Sequence, residues 1–190
     1  MGDTTLRIAV AVGLGVALLA ARDAGPAAIG ALYVAAVTAA LVQYDVRELR
    51  LPNALVLPGA AFVAVGAVWS SLALGDWRIV VAAAGCGAGA LVGFVVLASG
   101  GGLGMGDVKL AAVLAAALAA AAAERGPPLA AVVTVVGCWA VLSFVAGTVV
   151  AWLAVSGRGV RPRLPAAVAF GEVPFGPVLL GTFWGFVLLG

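Results

Sequence analysis

Apolar runs recur along this chain from end to end, each long enough or nearly long enough to cross about 30 Å of hydrocarbon at roughly 1.5 Å per helical residue. Charged residues or Pro/Gly breaks separate them into candidate spans at Leu6 to Ala21, Ala27 to Tyr44, Ala54 to Leu74, Ile79 to Ala98, Val108 to Ala123, Leu129 to Val155 and Val173 to Gly190. A chain of 190 residues that is 65% apolar and only 9% charged belongs in a bilayer and leaves no material for a soluble domain. The expected fold is therefore all-α, a polytopic membrane helical bundle of about seven transmembrane spans forming a single membrane-embedded domain over residues 1–190. The first run could be mistaken for a secretory signal. Asp3 stands against Arg7 ahead of it, however, and no small-residue cleavage motif follows, so it is read as a retained helix.

Orientation follows from Lys and Arg in the connections, which are kept preferentially on the cytoplasmic side. With alternating spans, one side receives seven of them: Arg7, Arg47, Arg50, Lys109, Arg158, Arg161 and Arg163. The other side receives three, Arg22, Arg78 and Arg125. The count places residues 45–53, 99–107 and 156–172 together on the cytoplasmic face. Trp69, Trp77 and Trp152 fall near span ends, where indole rings favour the membrane interface. Membrane lipid is the expected surroundings and the three late arginines its anchors. The net charge of +2 is spread over short connections, so nucleic acid is not an expected partner.

The chain has no histidine and only two cysteines, without a CxxC pair. Zinc sites, Ser/His/Asp triads and Cys/His dyads all need residues that are missing. Carboxylates remain as the plausible acid and base, and there are eight. Asp3, Asp23, Asp76 and Glu124 lie in terminal or turn segments and are expected to be solvated. Asp45 instead follows an apolar span directly and opens the stretch Asp45 to Asn53, at the expected membrane edge. Asp107 follows Gly100, Gly101, Gly102, Gly104 and Gly106 and begins a helix. Such a loop can be a simple turn with Asp107 as helix cap, or a device that brings a carboxylate against another chain element where side chains would obstruct.

On one face, and two spans apart, Asp45 and Asp107 can meet if the second and fifth spans pack together. Paired carboxylates share a proton: the ionised one activates water while the protonated one polarises a peptide carbonyl, with no metal or cofactor required. Asp107 is the expected ionised member, being at a helix N-terminus with Lys109 nearby. Asp45, at the C-terminal end of its span, is the expected holder of the proton.

At three places the sequence resembles the type IV prepilin peptidases, which belong with the GxGD membrane aspartyl proteases. Asp45 with downstream Leu51-Pro52-Asn53 is similar to the first catalytic aspartate of that family and its Pro-Asn. The run Gly101 to Leu110, containing Gly104, Gly106, Asp107 and Lys109, resembles the second-aspartate motif. Val173-Pro174-Phe175-Gly176-Pro177 resembles the proline-rich entry into the last helix.

The resemblance implies an aspartyl endopeptidase of the plasma membrane. It would cut type IV prepilins or pseudopilins after a glycine that ends a basic leader, at the cytoplasmic face, with Asp45 and Asp107 catalytic. Glu48 and Glu172 are candidates for attracting that leader. Bifunctional members add a methyltransferase region with paired CxxC motifs. Nothing here corresponds to it, and N-methylation is not expected. Two other readings of the same aspartates are a small proton- or cation-coupled transporter and a noncatalytic membrane subunit of a secretion or pilus machine.

Gly85, Gly89 and Gly93, and likewise Gly181 and Gly185, recur at four-residue spacing, as in faces where helix backbones pack closely. Cys86 and Cys138 lie inside spans and are expected to be buried in apolar packing.

Overall fold

The computed structural model describes residues 2–21, 25–49, 51–99, 103–156 and 174–189. Within them the chain forms α1 (Gly2–Ala21), α2 (Ala28–Glu48), α3 (Asn53–Leu74), α4 (Arg78–Ser99), α5 (Met105–Ala123), α6 (Leu129–Ser156) and α7 (Gly176–Leu189), with no strand among the described residues. Helices α2 to α6 are long and apolar enough to cross a membrane, whereas the apolar stretch of α1 (Thr4–Ala20) and α7 are shorter. The protein is thus a multi-pass helical bundle. Arg50, Gly100 to Gly102, Arg158, Arg161, Arg163, Glu172 and Val173 lie outside the described residues, as does Asp23.

Helix α5 is the hub of the bundle, packing against α2, α3, α4, α6 and α7. Its composition explains the position. Val108, Leu110, Ala111, Val113, Leu114, Ala117, Leu118 and Ala120 are buried around its circumference; α6 is just as apolar but largely exposed, so what sets α5 apart is its run of small alanines. The alanines keep it thin enough for five neighbours to surround it.

The glycines that admit close packing are not those their spacing suggests. A Cβ at Gly85, Gly89, Gly93, Gly181 or Gly185 would meet nothing within 4 Å. Close approach occurs at Gly30, where a Cβ would lie 2.5 Å from a Val63 methyl, and at Gly87, where one would lie 3.0 Å from Ala116. Two residues along a helix turn it by about 200°, so Gly87 faces α5 while the other three glycines of α4 face away from it. Gly85, Gly89 and Gly93 instead line a groove with Gly137 of α6.

Glu124 departs from the solvated role expected of it. At the end of α5 farthest from Asp107, it accepts hydrogen bonds from Ser70 Oγ on α3 (2.5 Å) and from the backbone N–H of Ala27 (3.3 Å). That N–H belongs to the unpaired set at the start of α2, so Glu124 ties three helices together at one end of the bundle. Asp76 does behave as a turn residue, accepting the Arg78 N–H at 2.9 Å on the surface. Both cysteines are free thiols. Cys86 is half-buried, but Cys138 is exposed on α6, against the burial expected. Trp69, Trp77 and Trp152 are all exposed.

Candidate active site

Helix α2 continues past Tyr44 and stops only at Leu49, which takes up left-handed geometry (φ 51°) and donates its N–H to the Asp45 carbonyl at 3.0 Å. Asp45 therefore occupies the last turn of α2 instead of following it. Its side chain turns into the bundle and is 3% exposed. Asp107 is 9% exposed, in the first turn of α5, close enough that the charge of Asp45 acts on it. The structure brings the two aspartates together at the end of the bundle opposite Glu124.

The two carboxylates are held differently. Asp45 Oδ2 accepts the backbone N–H of Gly176, the first residue of α7, at 2.9 Å. Asp107 is not the helix cap. Gly104 takes that position with extended geometry (φ −76°, ψ 147°), and the Gly104 N–H donates to the Asp107 carboxylate, the return half of a capping box. Asp107 Oδ1 is buried with no hydrogen-bond partner.

Several of the other expected site residues serve as supports. Gly106 passes directly over the α2–α3 connection, where a Cβ would lie 2.9 Å from Leu51 Cβ and 3.3 Å from Leu51 N. The obstruction argument made for the glycine loop thus applies to Gly106. Pro52 is the N-cap of α3, and its carbonyl accepts the N–H groups of Leu55 (3.0 Å) and Val56 (3.3 Å). Asn53 Oδ1 accepts from Lys109 Nζ at 3.0 Å, tying the start of α3 to the first turns of α5. Lys109 thus bonds Asn53 through its ammonium group. Glu48 is exposed at the end of α2, outside the buried pair.

The N-terminus of α7 was not foreseen as part of the site, and it changes the electrostatic setting of Asp45. The carboxylate lies at the C-terminal end of one helix but accepts an N–H from the start of another, where unpaired donors favour negative charge. The sequence marked the proline-rich segment around Gly176 as the entry into the last helix, but nothing in it pointed to a backbone donor for Asp45.

The family model described as the type IV leader peptidase family matches residues 31–152. The match takes in Asp45, Leu51 to Asn53, and Gly104 to Lys109, and stops short of Gly176. No curated protein and no solved structure matches the chain. Because the matched segment is well over half of the sequence and contains both buried aspartates, this chain belongs to the type IV leader peptidase family.

Proposed function

We propose that the protein is an aspartyl endopeptidase that removes the basic leader of type IV prepilins or related pseudopilins, cutting after a glycine at the cytoplasmic face of the plasma membrane. The observation that carries this reading is the burial of Asp45 and Asp107 side by side within a peptidase family. Asp45, with an N–H donor on Oδ2, is suited to hold the charge and take a proton from the attacking water. Asp107, whose Oδ1 lacks a partner, is suited to carry the shared proton and pass it to the peptide carbonyl oxygen. This assignment reverses the one expected from the sequence. As the tetrahedral intermediate collapses, the proton collected by Asp45 goes to the leaving amine and the hydroxyl formed from the carbonyl oxygen returns its proton to Asp107, so the pair is restored and the chemistry calls for no metal or cofactor.

The seven-to-three distribution of Lys and Arg supports a cytoplasmic site. Exposed Glu48, one turn beyond Asp45, is the described residue best placed to attract a basic leader, and Glu172 is the second candidate. A proton- or cation-coupled carrier would use carboxylates near the midplane, whereas both aspartates lie in terminal turns of their helices. The test is to mix purified protein with candidate prepilins, size the products and read their new N-termini. Cleavage after the leader glycine by the native protein, lost in Asp45→Asn and in Asp107→Asn, is expected. Near-normal turnover by either variant would reject the shared pair.

A further inference from the structure

The contact that gives Asp45 its donor depends on where α7 begins, and that point is set from α6. Phe175 immediately precedes α7, and its carbonyl accepts the N–H groups of Val178 and Leu179, both at 3.1 Å, so it starts the helix. Its ring lies against the backbone of α6 at Gly147. A Cβ there would collide with Phe175 Cε2 and lie 2.6 Å from Cδ2 and 3.1 Å from Cζ. Gly147 is buried and Phe175 packs at the margin of the core.

One turn earlier on the same face of α6, fully buried Ser143 shares a hydrogen bond with Thr182 of α7 at 2.6 Å. Residues four apart on one helix and seven apart on the other share a face. Helix α6 therefore holds α7 at two points, a polar one at Ser143–Thr182 and a steric one at Gly147–Phe175.

We infer that Gly147 is a positioning residue for the aspartate pair: the hollow it leaves on α6 seats the Phe175 ring and so sets the place from which Gly176 N–H reaches Asp45. Neither Gly147 nor Phe175 touches a reacting atom, and the catalytic consequence rests on Asp45 being a member of the pair. Adding a methyl group at position 147 fills the seat. Phe175 sits one residue from Gly176, so displacing its ring moves the donor. Geometric errors of about 1 Å in such sites can lower turnover roughly 100-fold.

Two readouts separate the seat from the chemistry: site-resolved hydrogen exchange at the Gly176 amide, and kcat and KM for a prepilin peptide. In Gly147→Ala the Gly176 amide should exchange faster while amides from Thr182 to Leu189 keep their protection. The same variant should lose kcat by roughly 10- to 100-fold with KM little changed. Phe175→Leu, which makes room for the added methyl, should restore both readouts when combined with Gly147→Ala.

Native exchange and native kcat in Gly147→Ala would mean that the ring swings aside freely, and the inference would be overturned. Failure of the double variant to recover either readout would overturn it as well. If Gly147→Ala does not fold, Phe175→Leu alone decides: faster exchange at Gly176 supports the seat and unchanged exchange overturns it. Full cleavage by Asp107→Asn would sink the catalytic reading separately, while selective exchange at Gly176 would still support the seat.

Discussion

Gly176 donates its backbone N–H to Asp45 Oδ2 across 131 residues of sequence, at 2.9 Å. The same glycine has no room for a side chain, since a Cβ would lie 2.8 Å from that oxygen and 3.2 Å from Asp45 Cγ. Gly176→Ala should therefore push the donor and carboxylate apart while leaving the apolar packing of α7 in place. A fall in kcat of roughly 10- to 1000-fold is expected, comparable to losing one fixed backbone donor at a developing charge. Turnover of a prepilin peptide by a variant with native thermal stability is the measurement. Native turnover would remove Gly176 from the site.

Gly104 and Gly106 belong to one motif, and the structure separates them. A methyl at Gly106 would meet Leu51 Cβ at 2.9 Å, but one at Gly104 would meet only Asp107 Oδ2, at 3.3 Å. Gly106→Ala must move the start of α5 away from the α2–α3 connection, and with it Asp107 from Asp45. The expected loss of kcat is at least about tenfold larger for Gly106→Ala than for Gly104→Ala, since misplaced reacting groups cost more than a small local adjustment. Parallel kinetics on the two variants would show it, and equal losses would contradict the separation.

Glu124→Ala removes the acceptor shared by Ser70 and the Ala27 N–H. Hydrogen bonds to a charged group contribute about 1.5–3 kcal/mol when both partners are sheltered, and a half-exposed carboxylate earns the lower part of that range. A loss of about 1–2 kcal/mol, read as a lower unfolding midpoint in detergent, is expected. Glu124→Gln keeps an oxygen in place and should lose less than half as much. If alanine and glutamine lowered the midpoint equally, acceptance of these two bonds would not be the role of Glu124.

The helices were legible because apolar runs and their Pro/Gly breaks directly encode length and place in a bilayer, and the observed ends fall close to the expected ones. That Asp45 and Asp107 could meet was legible from the scarcity of carboxylates and the common face expected for them, but whether they do depends on α2 packing against α5, which the sequence left open. What stayed hidden depends on direction. Four-residue spacing marks Gly85, Gly89 and Gly93 as one face but does not say which way it points, and here it points away from α5. Glu124 beside Arg125 reads as a turn until α2 and α3 arrive next to it. A backbone N–H such as that of Gly176 has no residue-type signature at all, so the donor to Asp45 could be found only in three dimensions.

The charge distribution makes a topological prediction that positions in the connections flanking α3 can test. Glu48 and Asp76 lie at opposite ends of α3, beyond its start and its finish. With Cys86 and Cys138 replaced, a cysteine at position 48 should be labelled from the cytoplasm and one at 76 from outside. Replacing Cys138 is essential because it is exposed. The reverse pattern would place the aspartate pair on the side away from a cytoplasmic leader.

The pH dependence of cleavage tests the pair itself, because a histidine-free chain has no imidazole to supply either limb. At low pH both carboxylates carry protons, so no base is present to activate water and the rate falls. At high pH both are ionised, so none can donate to the carbonyl oxygen and the rate falls again. Between these limits one proton is shared. Ionising one aspartate makes ionising the other harder, and the two apparent constants belong to the pair and not to either residue. The expected profile is a bell with both limbs present in kcat. Lys109 Nζ bonds Asn53 Oδ1, so Lys109→Gln, which removes a charge but neither carboxylate, should leave the bell in place. The measurement is initial rate against pH for a short prepilin peptide in detergent, with enzyme stability checked at each point. A flat profile, or activity that appears only with added divalent metal, would count decisively against two aspartates sharing one proton.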